Sequence, residues 1–247
     1  MAYRTGVPGL NKALTEDDLE KSRNIYNRLP DDSQQPEIQE SHIHNLATLF
    51  ARNRADRLFG IHLAYAHFAV PDKTVLLGVN YEAPHCRWAK ATAFQAIDLS
   101  NVHGHVFVLT DYGFHPYEYQ AGPIPDLSQV DDTFLVELAG YLSKHKLEKL
   151  VGLQIIDPHP SDILELVLPQ GTVMLDVSNV NGYVLTRQTG WKFEVENGEL
   201  RACQANEMHA QTRTGHEVYN KGDPYPRLEN LQDLKHVLAE AGILSVA

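Results

Sequence analysis

Cysteine is nearly absent from this chain: Cys86 and Cys203 are the two among 247 residues, and they stand far apart. Two such residues exclude a disulfide scaffold and fit a reducing compartment; if they meet in space, two buried thiols are expected rather than a bridge. Basic side chains are scarce as well, 21 Lys and Arg against 32 Asp and Glu, for a net charge of −11. That balance argues against nucleic acid as a partner, because proteins that hold a phosphate backbone concentrate Lys and Arg on it. Long apolar runs are missing too. The longest are stretches such as Thr74–Val79, far below the roughly 18 residues of a spanning helix. The segment Met1–Asp18 has no apolar core of a signal peptide and turns acidic early. A cytoplasmic protein with no membrane partner is expected.

Several chemistries are excluded by missing motifs. The chain has no Gly-x-Ser-x-Gly elbow, no Gly-x4-Gly-Lys-Ser/Thr phosphate loop, no Gly-x-Gly-x-x-Gly dinucleotide turn and no His-Glu-x-x-His pair. It also lacks internal repeats, low-complexity tracts and long linkers, so one α+β domain over residues 1–247 is the simplest organisation. Residues 1–58 are helical in pattern and could form an arm or lid, whereas 60–247 carry the β-rich part.

The helical signals are local and clear. Thr15-Glu-Asp-Asp18 is a capping box, followed by Leu19, Ile25, Tyr26 and Leu29 up to Pro30. Ile38, Leu46, Leu49 and Phe50 give a second apolar stripe, predicting a helix over about 36–56. Asp131 or Asp132 caps a third, with Phe134, Leu138, Tyr141 and Leu142 on one side. A last helix runs over Asn230–Ala241, with Gly242 as its cap.

Between them lie short β-rich runs at 61–70, 74–81, 88–99, 105–119, 150–156, 172–177, 182–186, 190–195 and 200–204, punctuated by turn residues. They predict an antiparallel meander, closing toward a barrel, with an Asn197-Gly198 hairpin near its end. Asp157-Pro-His-Pro160 reads as a turn, Ser161–Leu168 as a short helix, and the polar stretch 204–220 as a loop over a site.

Against these absences, histidine is abundant, thirteen residues, many beside predicted strands. Imidazole is the side chain that ligates metals and moves protons near neutral pH. His103-Gly-His105 has the best local geometry for a metal, because residues two apart on a strand share a face. The cupin pattern continues with a glutamate a few residues later; here Val106-Phe-Val-Leu-Thr110 follows, so that pattern is not met. His62 and His67 fall on opposite faces of a strand and converge only if a bulge intervenes.

In Phe114-His-Pro-Tyr-Glu-Tyr119, His115, Tyr117 and Tyr119 share one face and Glu118 takes the other, a combination suited to acid/base work. Cys203-x5-His209-x6-His216 is a loose metal-type series, and Cys86 between His85 and Arg87 is a conceivable nucleophile. Each of these also has the plain reading of a packed or solvated side chain.

Two functions follow. One is a soluble intracellular enzyme acting on a small organic molecule through a His/Tyr/carboxylate pocket. It would use His115, Glu118, Tyr117, His62 and His67 for proton transfer, with His103 and His105 holding a divalent transition metal if one is used. The other is a non-catalytic binding or assembly protein, in which the helical arm and the strand at Tyr117 form a homo-oligomer surface.

Overall fold

The computed structural model describes residues 6–156, 163–169, 171–196, 199–213, 215–219 and 228–244. Its four α-helices are α1 (Glu16–Tyr26), α2 (Glu40–Arg52), α3 (Phe134–His145) and α4 (Leu231–Glu240). The capping signals act as expected. At α1 the Thr15 side chain accepts from Asp18 N–H while Asp18 accepts from Thr15 N–H, and Asn230 and Asp233 repeat the arrangement at α4. Helix α2 is shorter than its apolar stripe implies. The chain is still extended at Gln39, and Gln39 contributes no side-chain cap. Asp131 accepts from Thr133 N–H and so shapes the turn before α3 rather than capping the helix itself. No helix among the described residues is long and apolar enough to cross a membrane.

The strands are β1 (Phe59–Leu63), β2 (Thr74–Glu82), β3 (His85–Ala93), β4 (Val102–Thr110), β5 (Gly113–Ala121), β6 (Val151–Ile155), β7 (Ile163–Leu168), β8 (Gly171–Asp176), β9 (Val184–Glu196) and β10 (Glu199–Gln211). They close into one barrel in the order β1-β6-β4-β5-β2-β3-β8-β7-β10-β9, sealed where Ile61 pairs with Trp191 and His62 with Gly190. Closure gives every described strand a neighbour on both sides, over short registers at the β1–β9 and β7–β10 junctions. Pairing is antiparallel except at two junctions, β2 with β5 and β7 with β10, which are parallel. The sequential hairpins of a meander survive, but longer connections shuffle their order around the barrel.

The strand expected over 88–99 ends at Ala93, the runs 182–186 and 190–195 are one strand, and two further segments differ in kind. Residues 163–168 form a strand rather than a helix, and Leu164, Leu166 and Leu168 are buried at every second position. That is the two-residue period of a pleat, hidden in a run too short to separate from a helix. The polar stretch expected as a loop is strand β10 as far as Gln211, and it pairs with β9 along its length. Asp157-Pro-His-Pro160, Ser161 and the Asn197-Gly198 turn lie outside the described residues.

Helices cover the barrel's outer face. Leu46 and Phe50 of α2 and Phe134, Leu138 and Leu142 of α3 share one cluster with Phe59, Ile61, Phe107, Leu153 and Ile155. Leu234, Val237 and Leu238 of α4 pack with Leu164, Leu166, Leu168, Val173 and Leu175, and Leu19 of α1 with Val75, Val102 and Tyr119. Each fully buried apolar side chain of this size contributes about 1.5–3 kcal/mol. Alternation then sends their strand neighbours inward: His62 beside Ile61, Gln154 beside Leu153, Glu165 beside Leu164. The barrel is therefore apolar outside, beneath its helices, and polar inside.

Candidate functional site

Inside the barrel the polar side chains bond to one another across strands. Arg87 of β3, 2% exposed, donates from Nε to Gln120 Oε1 at 2.7 Å and from Nη2 to Glu118 Oε2 at 3.3 Å. Gly78 makes room for it: a Cβ there would stand 2.4 Å from Arg87 Nε. Gln154 donates to Glu207 Oε2 at 2.9 Å and accepts from Asn206 at 3.1 Å. His62 donates through Nδ1 to the Leu63 carbonyl at 2.6 Å and sets Nε2 3.6 Å from Glu207 Oε2. Burial pulls the His62 pKa down, but the Glu207 carboxylate outweighs it and the net shift is upward. Burial raises Glu118, with Arg87 opposing.

At one end of this interior four side chains converge. One nitrogen or oxygen from each of His67, Glu165, His209 and His216 lies within 4.8 Å of the others. Glu165 and His209 are register neighbours on the parallel pair β7 and β10. His67 comes from the segment after β1. His216 is turned back by Thr212 and Gly215, which exchange backbone hydrogen bonds. His209 Nε2 lies 2.9 Å and His67 Nε2 3.3 Å from Glu165 Oε2. Adjacent donors bound at about 2.1 Å to one ion lie about 3.0–3.4 Å apart, close to these two separations.

The surroundings orient these rings. His209 Nδ1 donates to Asp32 Oδ2 at 2.9 Å, and His216 Nδ1 donates to the Ala210 carbonyl at 3.0 Å. Both leave Nε2 for the centre of the cluster, the usual arrangement around a metal-bound histidine. The Tyr65 hydroxyl donates to Glu165 Oε2 at 2.6 Å and lies 2.9 Å from His209 Nε2. Asp32 is held in place because Arg187 donates to the carbonyls of Asp32 and Gln35, and Gln35 in turn donates to Ala64. His216 Nε2 is buried and makes no hydrogen bond, and His67 Nε2 has its ion pair with Glu165 at 3.3 Å.

The electrostatics are those of a tightly coupled group. Burial alone would raise Glu165, but His67 and His209 hold it well below the usual carboxylate range. Burial alone would lower His209, but the hydrogen bonds to Asp32 and Glu165 carry it up to about 9. Burial and the charge of His209 push His216 down to about 4, and the hydrogen bond from His209 brings Asp32 to about 2. In the metal-free protein the Nε2 proton of His209 is shared between Glu165 and Tyr65. A cation would take that proton's place. Three imidazoles and one carboxylate are a donor set for a divalent first-row transition metal.

The residues singled out in the sequence are distributed as follows. His62 and His67 both turn inward, contrary to the alternation expected of one strand. Strand β1 stops at Leu63, and Ala64 and Ala66 bond to Leu150 and Pro30 instead of a neighbouring strand. His103 and His105 do not form a metal pair with a third ligand among the described residues. A bulge between Gly104 and Val106 takes His105 out of alternation, and His103 meets the Gly122 carbonyl at 3.2 Å. His115 donates to the Asp18 carbonyl at 3.1 Å and Tyr117 packs on Tyr26, with ring centroids 6.2 Å apart, so neither reaches the cluster. Glu118 faces Arg87.

Cys86 is no activated nucleophile. It sits in the apolar cluster under α4, on the face opposite Arg87, and burial pushes its thiol up to about 11. Cys203 is exposed and takes no part in the group that contains His209 and His216. The sequence pattern pointed to those two histidines but not to Asp32, Tyr65 or Glu165, which carry no spacing signal. Compared with protein-family models, curated proteins and solved structures, the chain matches none of them.

Proposed function

We propose that this protein is a metal-dependent enzyme acting on a small organic molecule, with His67, Glu165, His209 and His216 as the ligands of a divalent transition metal. The observation that carries this reading is the convergence of three imidazoles and one carboxylate, with His216 Nε2 buried and without a hydrogen bond and His67 Nε2 held by its 3.3 Å ion pair with the carboxylate that His209 also contacts. Buried polar atoms are almost always satisfied, and the bare His216 Nε2 beside a carboxylate already shared by two histidines points to a missing partner that accepts lone pairs. Such an ion supplies Lewis acidity and an activated water when bound. Around it, Asp32 and the Ala210 carbonyl orient the imidazoles, and Tyr65 stays a hydrogen-bond donor because burial and Glu165 raise its pKa well above the usual phenol range.

Four protein donors close a tetrahedral ion, as in structural zinc sites, but leave two positions open on a six-coordinate ion of the manganese-to-cobalt series. The catalytic reading takes the second. It draws support from the rest of the interior, where Arg87, Glu118, His62 and Glu207 are buried together at a cost that a structural site does not require.

Metal analysis of untagged protein, followed by cobalt substitution, tests both parts. About one equivalent of metal, lost on chelation together with thermal stability, and the weak absorption of six-coordinate cobalt are expected. Less than about a tenth of an equivalent, with no effect of chelator, sinks the metal reading. The intense absorption of four-coordinate cobalt would turn the site into a structural one.

A further inference from the structure

Elsewhere in the barrel, Arg87, His105, Gln154, Asn206 and Glu207, with the apolar Ile163 and Met174, line a second feature, a cavity of about 10 Å³. That is the room of one water molecule. Two residues of its wall carry buried atoms without a hydrogen bond, His105 Nδ1 and Glu207 Oε1; the residues are 2% and 3% exposed. Leaving such atoms bare in a low-dielectric interior carries their full desolvation cost, so an occupant is expected.

The wall decides what the occupant is. The Arg87 guanidinium repels a metal ion, and the Glu207 carboxylate repels an anion. An apolar guest would leave both orphan atoms unsatisfied. What remains is a neutral molecule with two donors, an acceptor and a volume near that of water. We propose that the cavity holds one structural water, donating to His105 Nδ1 and Glu207 Oε1 and accepting from Arg87 Nη1. Arg87 Nη1 otherwise donates to the Met174 sulfur at 3.6 Å, a weak acceptor. Burial and Arg87 keep His105 neutral, which leaves one of its ring nitrogens free to accept.

This site gives His105 a role other than metal ligation and does not depend on the metal cluster. The water joins two groups that the protein's own bonds leave separate. One is Arg87 with Glu118 and Gln120; the other is Glu207 with Gln154, Asn206 and His62. Glu207 Oε1 is then tied down, so that Oε2 stays on Gln154 and His62. The His62 ring packs on Tyr65 at 5.2 Å, and so the wall behind the metal cluster is held rigid.

A crystal structure of the intact protein at a resolution that shows ordered solvent tests the proposal directly. A single peak within hydrogen-bond reach of His105 Nδ1 and Glu207 Oε1, without anomalous signal, is expected; an empty cavity or a metal peak there overturns it. The sign of a stability change is an independent reading. If the atoms are bridged by water, His105→Leu breaks the network and lowers Tm by several degrees. If the cavity is dry, the same change removes an unsatisfied atom and leaves Tm unchanged or higher, and the proposal fails. Both measurements are made with and without chelator, so that loss of the metal reading leaves this one intact.

Discussion

Asp32→Ala is the most informative change in this protein, because Asp32 donates no ligand atom and its hydrogen bond to the cluster is to His209. The carboxylate receives the Nδ1 proton of His209 at 2.9 Å and is about a quarter exposed, 23%. Removing it frees the imidazole to rotate and lowers its basicity. Loss of such an outer partner weakens metal binding about 10- to 100-fold, or about 1.4–2.8 kcal/mol. Titration of chelated protein with Co²⁺ or Zn²⁺ against a competing chelator measures this. His216 is an internal contrast, since its Nδ1 bonds to the Ala210 carbonyl, which no substitution removes. Asp126→Ala, on an exposed turn, should leave the affinity unchanged.

The same variant has a pH signature in metal-free protein. His209 is raised to about 9, so its contribution is complete below about 6.5 and is lost as pH rises through 9. Asp32 is lowered to about 2, so its contribution is present above about 3.8 and is lost as pH falls through 2. Parent and variant should therefore differ most in stability between about pH 4 and 6.5 and converge on either side. Equal metal affinity in the two proteins, with Asp32→Ala folded, would refute the assignment of His209 as a ligand oriented by Asp32.

Two further changes test the frame around the site. Phe50 lies 5.0 Å, ring to ring, from both Phe134 and Phe193, at the junction of α2, α3 and β9. Phe50→Ala should cost about 3–5 kcal/mol in urea unfolding, and a loss under about 1 kcal/mol would mean that the helices do not seal the barrel there. Thiol labelling of native protein near pH 8 should modify the exposed Cys203 and spare Cys86, which is buried with its pKa near 11, until denaturant is added. Rapid modification of both would place Cys86 outside the α4 cluster.

What could be read in the sequence was what is encoded locally. The capping box at Thr15, the apolar stripe of α3 and the turns after β2 and after β4 depend on neighbours a few residues away, and they appear where their patterns placed them. Strand β7 was misread because six alternating residues fit a helix start as well as a pleat. The face that His67 takes is not legible locally, because the place where a strand stops is not a local property. β1 ends where Ala64 and Ala66 find other backbone partners.

The candidate site was legible only in part. Histidine abundance and the His209 and His216 pair announced it, while Glu165 and Asp32 looked like any other acidic residues of an acidic chain. Tyr65 reaches Glu165 across 100 positions of sequence, and Glu165 reaches His209 across 44. By itself, the sequence determined the types and approximate places of the elements and the chemical inventory available to them, because helix and strand periods are set by residues within a turn or two. Only the tertiary structure decided which polar residues face inward and which of them meet. Those outcomes depend on where each strand begins, bulges and pairs as the barrel closes, and a shift of one residue at any of them reverses the face.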